Sequence, residues 1–259
     1  MALNYFLFLA AYLVILLGVG LVFMRRMNSL EDFFLASRDL SGFWLFLSLV
    51  ASWIGATSFL VSVDESYKDG VSSLWVMGVP ALLTVLLFLF FLARPIRKLS
   101  IITLPDLVEL RYGRTVRHLS SVLIIWYMIL LASSQMVALG NFLQVLLDTS
   151  YLTSLVIGTA VVLIYSVLGG FFSVVVTDGI QFLFLFGGIF GLFFFLLRSQ
   201  SLQDVSLAIQ SSGKLDYFSF FAHFKTNSLI VLSFVLAWLV SPIAWQRIQA
   251  ARDVKSAHR

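Results

Sequence analysis

The chain has no cysteine, four prolines and three histidines in 259 residues, and only 12% of its residues are charged. Without thiols there is neither a disulfide framework nor a thiolate metal centre, and His118, His223 and His258 are too scattered to suggest a metal cluster. No nucleophile, base and orienting group recur together and no phosphate loop is present, so an enzyme is the class least expected. Soluble domains carry about 25% charged residues, whereas this chain is 60% hydrophobic with a mean hydropathy of +1.00. That composition describes an integral membrane protein whose first partner is the lipid bilayer. In such a chain the net charge of +4 matters through its distribution over loops, and no nucleic-acid partner is expected.

What is present is a series of apolar runs. Seven spans are read, at residues 4–24, 42–63, 71–93, 119–147, 152–168, 180–197 and 228–245, each near or above the length that crosses a bilayer. The first lacks a preceding basic residue and a small-residue cleavage site before Arg25, so it is read as a retained helix. Alternating the loops places Arg25, Arg26 and Arg38, the six basic residues from Arg94 to Arg117, and Arg247, Arg252, Lys255 and Arg259 on one side. Those are 13 of the 17 basic residues; Lys68, Arg198, Lys214 and Lys225 fall on the other. The asymmetry predicts a cell-membrane protein with its N-terminus outside and its C-terminus cytoplasmic. Acidic residues divide almost evenly, seven inside and six outside. Within the longest inner loop, T-L-P-D-L-V-E-L-R-Y-G predicts a short helix, with Thr103 as cap, Pro105 in the first turn and Gly113 at the stop. The outer stretch 199–227 predicts a short interfacial helix or none.

Two spans are interrupted. V-A-S-W-I-G-A-T-S-F-L-V, residues 50–61, gathers small and hydroxyl residues at mid-span. Such residues either let a neighbouring helix approach closely or satisfy backbone groups where a helix unwinds. In the seventh span, Pro242 lacks an amide hydrogen and clashes with the carbonyl four residues earlier. Paired interruptions point towards a transporter, in which unwound segments present carbonyls to a cation. Spans two and seven lie five apart and so cross in opposite directions, as the first helices of two inverted repeats of five do.

The runs A-S-W-I-G-A-T-S-F-L, Y-K-D-G, T-L-P-D-L-V-E-L-R-Y-G, Y-S-V-L-G-G-F-F-S-V-V-V-T-D-G-I-Q and W-Q-R-I-Q-A-A-R-D resemble the sodium/solute symporter family in wording and order, from about Asp32 onward. The resemblance implies an all-α polytopic fold: about seven transmembrane helices forming the first half of a five-plus-five, LeuT-like inverted-repeat core. Within a single membrane domain over 1–259, residues 4–24 would be an extra helix, 42–197 the first five-helix repeat, and 228–259 the start of the second. It implies sodium-coupled symport of a small polar solute, with sodium as coupling ion, no other cofactor, and a missing C-terminal half as partner. The alternatives are a symporter-like sensory input module of a signalling protein and a non-functional fragment.

Carried over residue by residue, the resemblance assigns the main-chain carbonyls of Ala51 and Ile54 to a sodium site, with Ser52 not a ligand. Two carbonyls are too few for a hard cation. Thr57, Ser58, Trp238 and Ser241 match positions near the solute cavity. Asp178 either meets the positive start of the sixth span or lies on the ion pathway, where the family has an acid. Gln135 either lines the solute site or bonds a neighbouring helix. Gly169 and Gly170 are expected to form a turn.

Overall fold

The computed structural model describes residues 2–24, 29–99, 101–214 and 216–258. Arg25, Arg26 and Arg259, counted above on the inner side, lie outside these. Among the described residues all regular structure is helical, apart from one parallel bridge between Leu40 and Ala251.

The expected first span is α1, Ala2–Met24, and a short α2, Leu30–Leu35, follows with Ser29 capping the Asp32 N–H. The second span divides into α3, Gly42–Trp53, and α4, Ala56–Asp69. A 3-10 turn, Gly70–Trp75, leads to α5, Gly78–Leu87, which continues through one π-helical turn into α6, Ala93–Lys98. The short helix expected between Thr103 and Gly113 and the fourth span run together as α7, Leu104–Leu147. Its start follows the sequence reading, since the Asp106 carboxylate accepts the Thr103 N–H at 2.8 Å. Its predicted stop is a kink at Gly113, φ +81°, beyond which the helix resumes.

Spans five and six lie on either side of Gly170 within α8, Tyr151–Ser199. Gly170 has φ 56° and ψ −161°, a conformation open essentially to glycine alone, so the chain turns where the Gly-Gly pair predicted it. The helix then resumes at once rather than at residue 180, which corrects the expected boundary: Asp178 sits two turns inside a helix, not at its start. In the stretch 199–227 a short helix does form, α9, Leu202–Ser211, one of the two outcomes left open by the sequence. The seventh span is α10, Phe224–Leu239, and α11, Pro242–Ala250, bent by 45°. Pro242 takes the first helical position of α11, where its missing N–H costs nothing. A last short helix, α12, covers Val254–His258.

By length and composition, three stretches can cross a membrane, Ala56–Lys98, Leu104–Leu147 and Tyr151–Ser199, and the bent pair α10 and α11 makes a fourth. Leu9–Met24 and Gly42–Trp53 are shorter apolar helices. Both α1 and α3 pack along α8, as does α7. The end of α11 is tied to the start of the chain: Leu40 N–H donates to Ala250 O and Arg252 N–H to Leu40 O. Arg97 donates to Ala251 O at 2.6 Å, and buried Gln249 joins Arg38 to the Ile96 carbonyl. These bonds satisfy carbonyls that a helix end would otherwise leave bare and fix the end of α11 against α6 and the segment before α3.

Candidate ion and solute site

The break in the second span is Ile54–Gly55. Ile54 leaves the helical region at φ −93°, ψ 61°, and Gly55 is extended at φ −79°, ψ 174°. The last helical bond of α3 runs from Ile54 N–H to Val50 O, and the first of α4 from Phe59 N–H to Gly55 O. The carbonyls of Ala51 and Ile54 lie between and receive none of the hydrogen bonds that bridge the gap. The small-residue cluster therefore marks an unwound stretch and not a continuous packing face.

Three side chains hold the gap open. The Ser58 hydroxyl donates to Trp53 O at 2.7 Å and Gly55 O at 3.0 Å. Thr57 Oγ1 donates to Ser134 O on α7, and Gln135 Oε1, also on α7, accepts the Thr57 N–H at 3.1 Å. Of the two roles open to Gln135, the structure displays the helix-to-helix bond: it caps α4 from a neighbour, as a serine would from within the chain. A Cβ at residue 55 would lie 2.8 Å from Gln135 Oε1, so a side chain there would have to displace the amide that caps α4.

The second break faces the first. Trp238, in the last turn of α10, stacks on Trp53, the last residue of α3, with centroids 5.3 Å apart. Ser241 is buried at the start of α11. Trp53, Ile54, Ser58 and Trp238 line a cavity of about 560 Å³ that runs along α4, within the size range of small-molecule sites. Thr57 and Gln135 lie on the opposite side of the break, against α7, and are not among its lining residues.

Asp178 and Arg247 form a buried ion pair. Arg247 Nη2 lies 3.2 Å from Asp178 Oδ2, with the residues 5% and 7% exposed. Ser48 donates to the same carboxylate oxygen at 2.5 Å and accepts from Arg247 Nε at 3.0 Å. Ser52 accepts from Arg247 Nη2 and lies 3.4 Å from Asp178, and Arg247 Nη1 reaches Ile243 O. The guanidinium also sits 5.5 Å above the Phe171 ring. One cluster thus joins α3, α8 and α11 directly beneath the break. Sequence reasoning missed it, having counted Arg247 as an inner-loop charge and left Ser52 passive. The available signal was an arginine one turn past Pro242 inside W-Q-R-I-Q, in a segment too apolar for a loop.

A bundle of long apolar helices organised around two facing helix breaks, with bare carbonyls at one and a buried ion pair beneath, belongs to the class of polytopic membrane proteins with discontinuous helices. Residues 33–259 match the Sodium:solute symporter family, and the chain belongs to that family, as the motifs above implied. It is 30% identical to a sodium/glucose cotransporter of Vibrio parahaemolyticus over 68% of this chain and 33% of that protein. It is also 30% identical to the sodium/pantothenate symporter of Escherichia coli (strain K12), over 70% of this chain and 39% of that one. The chain therefore spans between a third and two fifths of the length of these relatives. A solved structure of a Na+-coupled sialic acid symporter in a substrate-bound outward-open state matches 98% of this chain and 54% of its own, with a TM-score of 0.84 at 18% identity. That likeness establishes the shared fold.

Proposed function

We propose that the chain forms one part of a sodium-coupled symporter for a small polar solute. The observation that carries this reading is the Ile54–Gly55 break, which leaves the Ala51 and Ile54 carbonyls without helical partners in the middle of an apolar run. In a membrane a bare carbonyl costs several kcal/mol, and a bound sodium ion would remove this cost. Ser58 and Trp238, with Ser241 close by, border the space beside the ion where a solute would lie, and Thr57 and Gln135 set the break from the other side. Asp178 lies beneath on the inward path of the ion. On this reading the chain crosses seven times, N-terminus outside and C-terminus cytoplasmic, with 4–24 as an extra helix, 42–197 as the first repeat and 228–259 opening the second. Relatives named for glucose and pantothenate symport support the sodium-coupled class.

Two carbonyls fall short of the several oxygens a hard cation takes, so the rest of the transporter must contribute ligands. The test is solute uptake by proteoliposomes holding the chain together with that remainder, with sodium or potassium outside. Uptake that rises with sodium, and whose sodium affinity falls about tenfold in Ala51→Val, is the expected result. Uptake indifferent to sodium would overturn the reading.

A further inference from the structure

The cavity beside the break carries a feature that neither the ion site nor the family motifs use. Of the residues lining it, Glu65 alone is charged. Ser58, Ser62 and Glu65 follow one face of α4, and seven residues of helix set the carboxylate about 10 Å along the axis from Ser58. Lys68, the nearest cation in sequence, bonds Asp64 at 2.6 Å and feels the Glu65 charge only at longer range, and among the described residues Glu65 forms no ion pair. Ser66 and Ser73, whose hydroxyls meet at 3.1 Å, flank it. At the other end of the cavity stand the stacked indoles of Trp53 and Trp238, and most of the remaining wall is aliphatic.

We propose that this cavity is a subsite for an extended solute bearing an alkylammonium group, with Glu65 as the counter-charge at one end and the aliphatic wall, closed by Trp53 and Trp238 at the other end, taking its apolar part. The inference rests on the transport reading and narrows its solute class. A half-buried carboxylate with no ion-pair partner, at the edge of an apolar wall, attracts a cation. A bare sodium ion would be poorly served there: one carboxylate and scattered hydroxyls cannot replace its hydration, and aliphatic walls offer it nothing. An alkylammonium carries its charge behind a shell of C–H groups, so it pairs with a carboxylate while burying apolar surface against the aliphatic wall. A neutral sugar would leave the Glu65 charge uncompensated.

Because the chain has no cysteine, single cysteines report on this cavity in the protein itself. Ser62→Cys and, independently, Ser73→Cys are reacted with a trimethylammonium-ethyl and a sulfonato-ethyl methanethiosulfonate of similar size, with Ser212→Cys as an exposed reference. The cation should react at least tenfold faster relative to the anion in the cavity than at the reference. Glu65→Gln should bring that ratio down to the reference value, and Glu65→Asp should keep most of it. Tetramethylammonium should slow labelling of Ser62→Cys, and sorbitol at equal concentration should not. A ratio unchanged by Glu65→Gln overturns the subsite, as does protection by sodium in place of tetramethylammonium, which would make Glu65 an ion-entry residue. Protection by sorbitol alone defeats the inference while leaving sodium-coupled uptake intact. Cation selectivity in a protein without sodium-coupled uptake would defeat the transport reading and leave the subsite standing.

Discussion

At the scale of single residues, the Asp178–Arg247 pair is the feature with the largest energetic consequence. Two charges taken out of water are tolerated because they pair with each other and both bond the hydroxyls of Ser48 and Ser52. Removing one partner strands the other. Arg247→Leu should therefore destabilise the detergent-solubilised protein by about 3–5 kcal/mol. Adding Asp178→Asn should restore a substantial part, since the neutral amide no longer needs a cation. Thermal unfolding of the two variants measures this; a double variant no more stable than the single one would show that the carboxylate is not what Arg247 compensates. The sequence reading offered Asp178 a role at a helix start, and its place eight residues beyond Gly170 withdraws that role, because the amides around it are already bonded within α8.

At the scale of elements, the breaks depend on a few backbone positions supported from outside. The start of α4 is capped by Gln135 from α7, in a space that exists because residue 55 has no side chain. Gly55→Ala and Gln135→Leu should each cost about 0.5–2 kcal/mol, the range of a helix cap. Their double variant should cost little more than one alone, since both remove the same bond. Additive losses in a double-mutant cycle would mean that the glycine serves the break in another way. Gly170→Ala should cost about 1–3 kcal/mol through backbone strain. By contrast Gly18→Ala, in α1 with nothing within 4 Å of a new Cβ, should be neutral or gain up to about 1 kcal/mol. Melting temperatures of the two variants test the contrast, which vanishes if residue 170 can relax into an ordinary helical conformation.

At the scale of the whole molecule, the arrangement across the membrane is the property most open to direct test. With no native thiol to remove, Lys98→Cys and Arg114→Cys should react with a membrane-impermeant maleimide only after cells are opened. Lys214→Cys should react in intact cells. Equal reactivity from outside for all three would defeat the seven-crossing arrangement. In the structure Lys214 sits over the rings of Tyr67 and Tyr217, in the stretch where the Tyr217 hydroxyl donates to Ser66 O and Val71 N–H to Tyr217 O. The segment before α10 is thus fastened to the far end of α4, so both broken helices are joined at that end as well as through the Trp53–Trp238 stack.

The sequence by itself determined the features that depend on a few neighbouring residues. Apolar runs place the helices because a buried backbone must bond within itself. Pro242 ends α10 by lacking an N–H, Gly170 turns the chain by lacking a Cβ, and the cluster from Ser52 to Ser58 announces a break. Tertiary structure decided which polar groups meet. Asp178 and Arg247 are 69 residues apart, and Gln135 is 78 from Thr57. Their encounters are set by the rotation and depth of one helix against another, which no local period in the sequence encodes. For the same reason Arg247 read as a loop charge: after an apolar run an arginine normally marks the water, and only the carboxylate brought in on α8 makes its burial affordable.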